Sequence, residues 1–206
     1  MRDVFRRLTL PALAVMVCTL VAAPAFAQNQ NRASHEDNGI GVGANFGITS
    51  NSVSTDLGGT YKHRTGSLFG LWIGGNKNGL IGFTGEFNYL MTKYDDGLGN
   101  DVKQKVFEIP AVFHVNVGSH SRNGVGGFIL FGPAFDFLLK SSINDIDNKS
   151  NFNGANIGIM AGGGIEAYRI GVQVRGNWGV KNISKNGGVT DVKTRQVQIV
   201  GTFRFN

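Results

Sequence analysis

The stretch Lys193-Thr-Arg-Gln-Val-Gln-Ile-Val-Gly-Thr-Phe-Arg-Phe-Asn206 decides the fold. Val197, Ile199, Gly201, Phe203 and Phe205 fall on one side of an extended chain. Thr194, Gln196, Gln198, Thr202 and Arg204 fall on the other. Successive side chains of a strand point to opposite faces, so this is a strand with one apolar and one polar face. A strand of this kind needs a neighbour. Gly39–Thr49 offers one, because Ile40, Val42, Ala44, Phe46 and Ile48 alternate with Gly, Asn and Thr.

Working outward, the same alternation recurs. Strands are predicted at 39–49, 67–75, 80–93, 103–117, 125–140, 155–167, 170–181 and 193–206, about eight in all. The connections alternate in length. The first, third, fifth and seventh are long and polar, whereas the second, fourth and sixth are short. Asn76-Lys77-Asn78-Gly79 carries the Asn-Gly hairpin signal, and Tyr168-Arg169 is a two-residue turn. Long loops at one end and short turns at the other are the rhythm of an antiparallel up-and-down transmembrane β-barrel with both termini in the periplasm. Each strand has the roughly 9–11 residues that cross a bilayer at a tilt. A soluble lipocalin-like barrel or sandwich would turn the apolar faces inward instead. The polar faces decide between the two. They carry Gly, Asn, Gln and charges of both signs, with few of the Lys/Glu-rich runs of a solvated face. The expected fold is therefore all-β, with apolar faces toward lipid. Pro110 interrupts the ladder of the fourth strand, and a bulge is expected there.

The N-terminus stands apart from the fold. Arg2, Arg6 and Arg7 precede the apolar run Leu8–Ala23, and Ala25-Phe26-Ala27 is an A-x-A cleavage site before Gln28. Residues 1–27 read as a signal peptide, 28–38 as a polar leader and 39–206 as the barrel domain. The single cysteine, Cys18, lies in the signal peptide, so the mature chain forms no disulfide. No later segment is apolar for long enough to be a membrane helix, so a membrane location requires a barrel.

The 20 basic and 14 acidic residues give +6. Removing Arg2, Arg6, Arg7 and Asp3 leaves 17 and 13, or about +4 on the same formal count. That suits contact with anionic outer-membrane lipids and lipopolysaccharide. No basic stripe interleaves with aromatics, so no nucleic-acid partner is expected. The 31 glycines are about twice the ordinary share of roughly 7%. In strands they let neighbouring side chains crowd a narrow interior.

Phe107-Glu108-Ile109-Pro110-Ala111-Val112, the run Phe128–Leu139 with its Gly132-Pro133, and Ala161-Gly162-Gly163-Gly164-Ile165-Glu166 resemble the small outer-membrane β-barrels called porin-family or PorT-type proteins. The resemblance covers most of the mature chain. It implies an outer-membrane barrel of a Gram-negative envelope, inserted by the barrel-assembly machinery, and it implies no particular activity. Such chains often end on an aromatic residue, whereas this one ends Phe205-Asn206.

The candidate site is a lumen charge cluster. Glu86, Glu108, Asp136 and Glu166 share the inner parity with Arg175 and Arg204, and Lys140 and Lys181 are assigned to the same face. Charges in a narrow lumen must pair or be hydrated. They form either a structural salt-bridge core or the lining of a solute path. An enzyme is not expected. His114 is the only strand histidine on an inner face, and no serine stands beside it in its strand. His35, His63 and His120 lack metal-ligand spacing. Asp145 and Asp147 lie in a loop without the full EF-hand pattern. The glycine clusters at 41–43 and 162–164 precede no helix, which excludes a phosphate-binding turn. No cofactor is expected. The function expected is a structural or surface-interaction barrel, and the alternative is a narrow porin-like channel for small solutes.

Overall fold

The computed structural model describes residues 40–55, 64–75, 80–95, 101–118, 124–144, 146–181 and 192–205. The signal peptide, the leader, the Asn76–Gly79 turn and Asp145 lie outside the described residues. The strands are β1 (Gly41–Thr55), β2 (Arg64–Gly75), β3 (Ile81–Asp95), β4 (Asp101–Gly118), β5 (Val125–Ile143), β6 (Ile146–Asp147), β7 (Ala155–Ala167), β8 (Ile170–Gly179) and β9 (Val192–Arg204). All pairings are antiparallel. The two-residue β6 only folds back on the end of β5, through Ser142↔Asp147 and Ile143↔Ile146. The other eight close on themselves, because β1 pairs with β9 from Gly43↔Arg204 to Thr55↔Val192. The expected eight-stranded up-and-down barrel is what the chain forms.

The faces divide as the alternation predicts. Phe46, Phe69, Leu71, Ile159 and Ile199 are exposed on the outer wall, whereas Asn45, Asn88, Glu108, Arg175 and Gln198 are buried inside. Outer aromatics pack across strands. The Phe69 and Tyr89 rings lie 5.3 Å apart and those of Phe83 and Phe113 5.4 Å apart. Such pairs are the units that fix strand register on a face.

Three expectations are corrected. The first concerns Pro110. Register between β3 and β4 is the same on both sides of it, so no bulge forms there. The ladder instead skips the pairs opposite Ile109 and Pro110, because proline has no N–H to give. On the far side of β5, Pro133 keeps its pairing with Ile159 on β7 while the β4 ladder skips it.

Second, the bulge lies elsewhere. Lys105 pairs with Lys140 and Val106 with Leu138, which leaves Leu139 as the extra residue. An extra residue reverses the parity of everything beyond it. Lys140, assigned to the lumen, is therefore exposed on the outer wall, while Ser141 is fully buried. Third, Lys181 lies beyond the end of β8 and is exposed rather than lumenal. The strands at the long-loop end also run further than predicted: β1 reaches Thr55 and β5 reaches Ile143.

Candidate functional site

The interior holds two apolar clusters among the described residues. On one side of the lumen Val112, Phe128, Leu130, Ala134 and Met160 form an apolar cluster. A second cluster joins Leu68, Leu90 and Val200, with Val106 packed against it. Alternation in the sequence sets which side a residue faces. Val112 shares the parity of Glu108, Ala134 that of Asp136 and Val200 that of Gln198, so apolar residues and polar or charged ones alternate in height along one inner face. Trp72 is also interior. A Cβ on Gly43 would come within 2.5 Å of the Trp72 indole nitrogen, so only glycine leaves room for that ring.

The same interior holds a charge network. Arg175 extends from β8 across the lumen to β3, where its Nη1 donates to Glu86 Oε1 at 2.7 Å and Oε2 at 2.8 Å. Its Nε donates to Gln198 Oε1 at 2.6 Å. The second terminal nitrogen lies 3.9 Å from Glu108 Oε2. Glu86 also accepts from Asn45 at 3.0 Å and from Asn88 at 2.7 Å. Glu108 accepts from Asn177 at 2.9 Å and from Gln198 at 3.1 Å. Gln198 further donates to Gln196, which donates to Asn51 at 2.6 Å. Five strands, β1, β3, β4, β8 and β9, thus meet at one polar knot.

Local sequence makes room for it. A Cβ on Gly162 would stand 2.6 Å from the Arg175 Cβ, so the glycine opposite the arginine lets its stem leave the wall. Charged groups taken from water need pairing of this kind, since their desolvation costs several kcal/mol each; the Arg175 Nη2 has the Glu108 carboxylate at ion-pair distance and no hydrogen bond.

The cluster predicted from parity is not one cluster. Glu86, Glu108 and Arg175 come together as described. Arg204 and Glu166 form a separate pair at 2.7 Å, near the short-turn end. Asp136 sits beside Glu108 in the ladder and accepts from Asn156 at 3.4 Å, with no cationic partner among the described residues. It lines a small cavity of about 80 Å³ at the long-loop end, together with Asn51, Gln104, Asn156 and Gln196.

The other candidates are placed as follows. His114 is buried on the inner face, its ring 5.1 Å from that of Phe128. Asp147 accepts the Lys149 N–H at 2.9 Å and so fixes the 3₁₀ turn Lys149–Asn151. Among the described residues no group of three or more His, Cys, Asp or Glu side chains is arranged to hold a metal.

Comparison with known proteins agrees with this architecture. The model of a family described as outer membrane protein beta-barrel domain matches residues 26–185. Among solved structures, Neisserial surface protein A superposes with a TM-score of 0.51 at 12% identity, over 81% of this chain and 99% of that one. Ail, the attachment invasion locus protein of Yersinia pestis, solved with the heparin analogue sucrose octasulfate, gives 0.46 at 15% identity, over 81% and 99%. The outer membrane enzyme PagL gives 0.43 at 13%, over 76% and 98%. At 12% identity the likeness to Neisserial surface protein A is one of fold alone. No curated protein sequence matches the chain.

Proposed function

From the premise that this chain belongs to the outer membrane protein beta-barrel domain family, we propose that it is a closed structural barrel of the Gram-negative outer membrane, without catalytic activity, that presents its long-loop end outside the cell. In this reading residues 1–27 are removed after Ala27. Residues 28–38 then form a periplasmic leader, and the barrel-assembly machinery inserts residues 39–206. The observation that carries the reading is the reach of Arg175 across the lumen to Glu86. A guanidinium with 0% of its side chain exposed, held by two carboxylates and a glutamine, supports a lumen closed to solutes. Eight strands leave an interior just wide enough for side chains to fill.

The test is conductance of the purified protein in a planar bilayer. The closed reading expects no resolved current from the wild type. Steady single-channel steps from the wild type would establish the narrow channel instead.

A further inference from the structure

Four lysines gather on the outside of the barrel, and the lumen does not explain them. Lys93 on β3, Lys103 and Lys105 on β4 and Lys140 on β5 are all exposed on the outer wall. They occupy adjoining rungs: Lys93 is directly opposite Lys103, and Lys105 is directly opposite Lys140. The bulge at Leu139 is what brings Lys140 into the group, since unbroken alternation would have turned it inward with Asp136.

Height on the wall identifies the partner. Directly toward the short-turn end the same three strands expose Met91, Phe87, Phe137 and Leu139. These belong to the lipid-facing band. The lysines stand just past its edge, at the level of lipid headgroups. A surface groove of about 270 Å³ runs among the four lysines, lined also by Met91 and Ser142. Rungs of the same parity lie about 7 Å apart along a strand, and neighbouring strands about 4.8 Å apart. Lysine side chains span such gaps, so two or three ammonium groups can converge on one phosphate.

We propose that Lys93, Lys103, Lys105 and Lys140 form a binding site for the phosphate groups of the outer-leaflet glycolipid, lipopolysaccharide. The lysines hold the phosphates while Met91 and Leu139 lie against its acyl chains. The assignment to the outer leaflet rests on the orientation proposed above, with the long loops outside.

The test uses the full mature chain folded in detergent, carrying an affinity tag, and its Lys105→Gln/Lys140→Gln variant. Unchanged heat-modifiable gel migration establishes that both are folded. Each is immobilised and exposed to lipopolysaccharide, to enzymatically dephosphorylated lipopolysaccharide, and to phosphatidylglycerol micelles. The site predicts that the variant retains at least tenfold less lipopolysaccharide than the wild type. It also predicts that dephosphorylation lowers wild-type retention to the variant's level, and that millimolar inorganic phosphate does not displace the lipid. Equal retention by a folded variant overturns the site. Equal retention of phosphatidylglycerol overturns the glycolipid assignment, and displacement by inorganic phosphate overturns the lipid one. Orientation is read separately, by antibody labelling of an epitope inserted at 96–100 on intact cells. Absence of labelling on cells that hold the folded protein overturns the orientation, and the outer-leaflet assignment with it, whatever the lipid experiment shows.

Discussion

Arg175 Nη1 lies 2.7 Å from Glu86 Oε1, and the two residues, 89 apart in sequence, stand on strands across the lumen from each other. That one ion pair ties the β8 wall to the β3 wall through the interior, where no backbone ladder connects them.

Its removal should therefore be felt by the whole barrel. Arg175→Met leaves Glu86 and Glu108 buried without their cation, and loss of one partner of a buried pair costs about 3–5 kcal/mol. Unfolding in urea from lipid vesicles should register that loss. Arg175→Met combined with Glu86→Gln should lose less than Arg175→Met alone. A single variant as stable as the wild type would mean that the pair contributes nothing to holding the barrel.

The outer wall makes the opposite demand. Ile159 is 56% exposed there, between Pro133 and Trp178 in the ladder. An arginine on the lipid face costs about 2–4 kcal/mol near the bilayer midplane. Ile159→Arg should lower stability by that amount in the same vesicle assay. A neutral effect would place Ile159 outside the hydrocarbon.

The two tryptophans report the two faces independently. Trp72 is 4% exposed and interior, and Trp178 is 47% exposed on the outer wall. In vesicles of brominated lipid, the fluorescence of a Trp72→Phe variant, which retains Trp178, should be strongly quenched. A Trp178→Phe variant should be nearly immune. Reversal of that order would invert the inside–outside assignment of every strand.

A closed ladder with no cysteine in residues 28–206 should resist detergent until heated. Unboiled protein should migrate differently from boiled protein on a denaturing gel. Identical migration would show that the ring does not survive as a unit.

Much of this was legible in residue order alone. Alternation fixes sidedness because the strand period is two, and loop length fixes which ends lie together. Parity therefore puts Glu86, Glu108, Arg175 and Gln198 inside, where they are buried. Parity says nothing, however, about height or partner. That is why Arg204 and Glu166 share the parity of Arg175 and yet pair with each other at the other end. Nor does parity survive an inserted residue. Leu139 looks like any other member of its apolar run, yet as the bulged residue it turned Lys140 from the lumen to the surface. A missing N–H has two remedies, a bulge or an interrupted ladder, and at Pro110 the chain uses the second.

The β1–β9 closure bears on how fast such a molecule assembles. Seven of its eight wall contacts join strands that follow one another along the chain. The eighth brings Gly43 to Arg204 and Thr55 to Val192. Hairpins form in microseconds, but that last seam must gather nearly the whole chain before its first contact forms, and such non-local pairing is slow. Until it does, β1 and β9 each present an unpaired edge able to capture another chain. The interval between the last hairpin and the seam is thus the stretch of its history in which this protein is most exposed to aggregation.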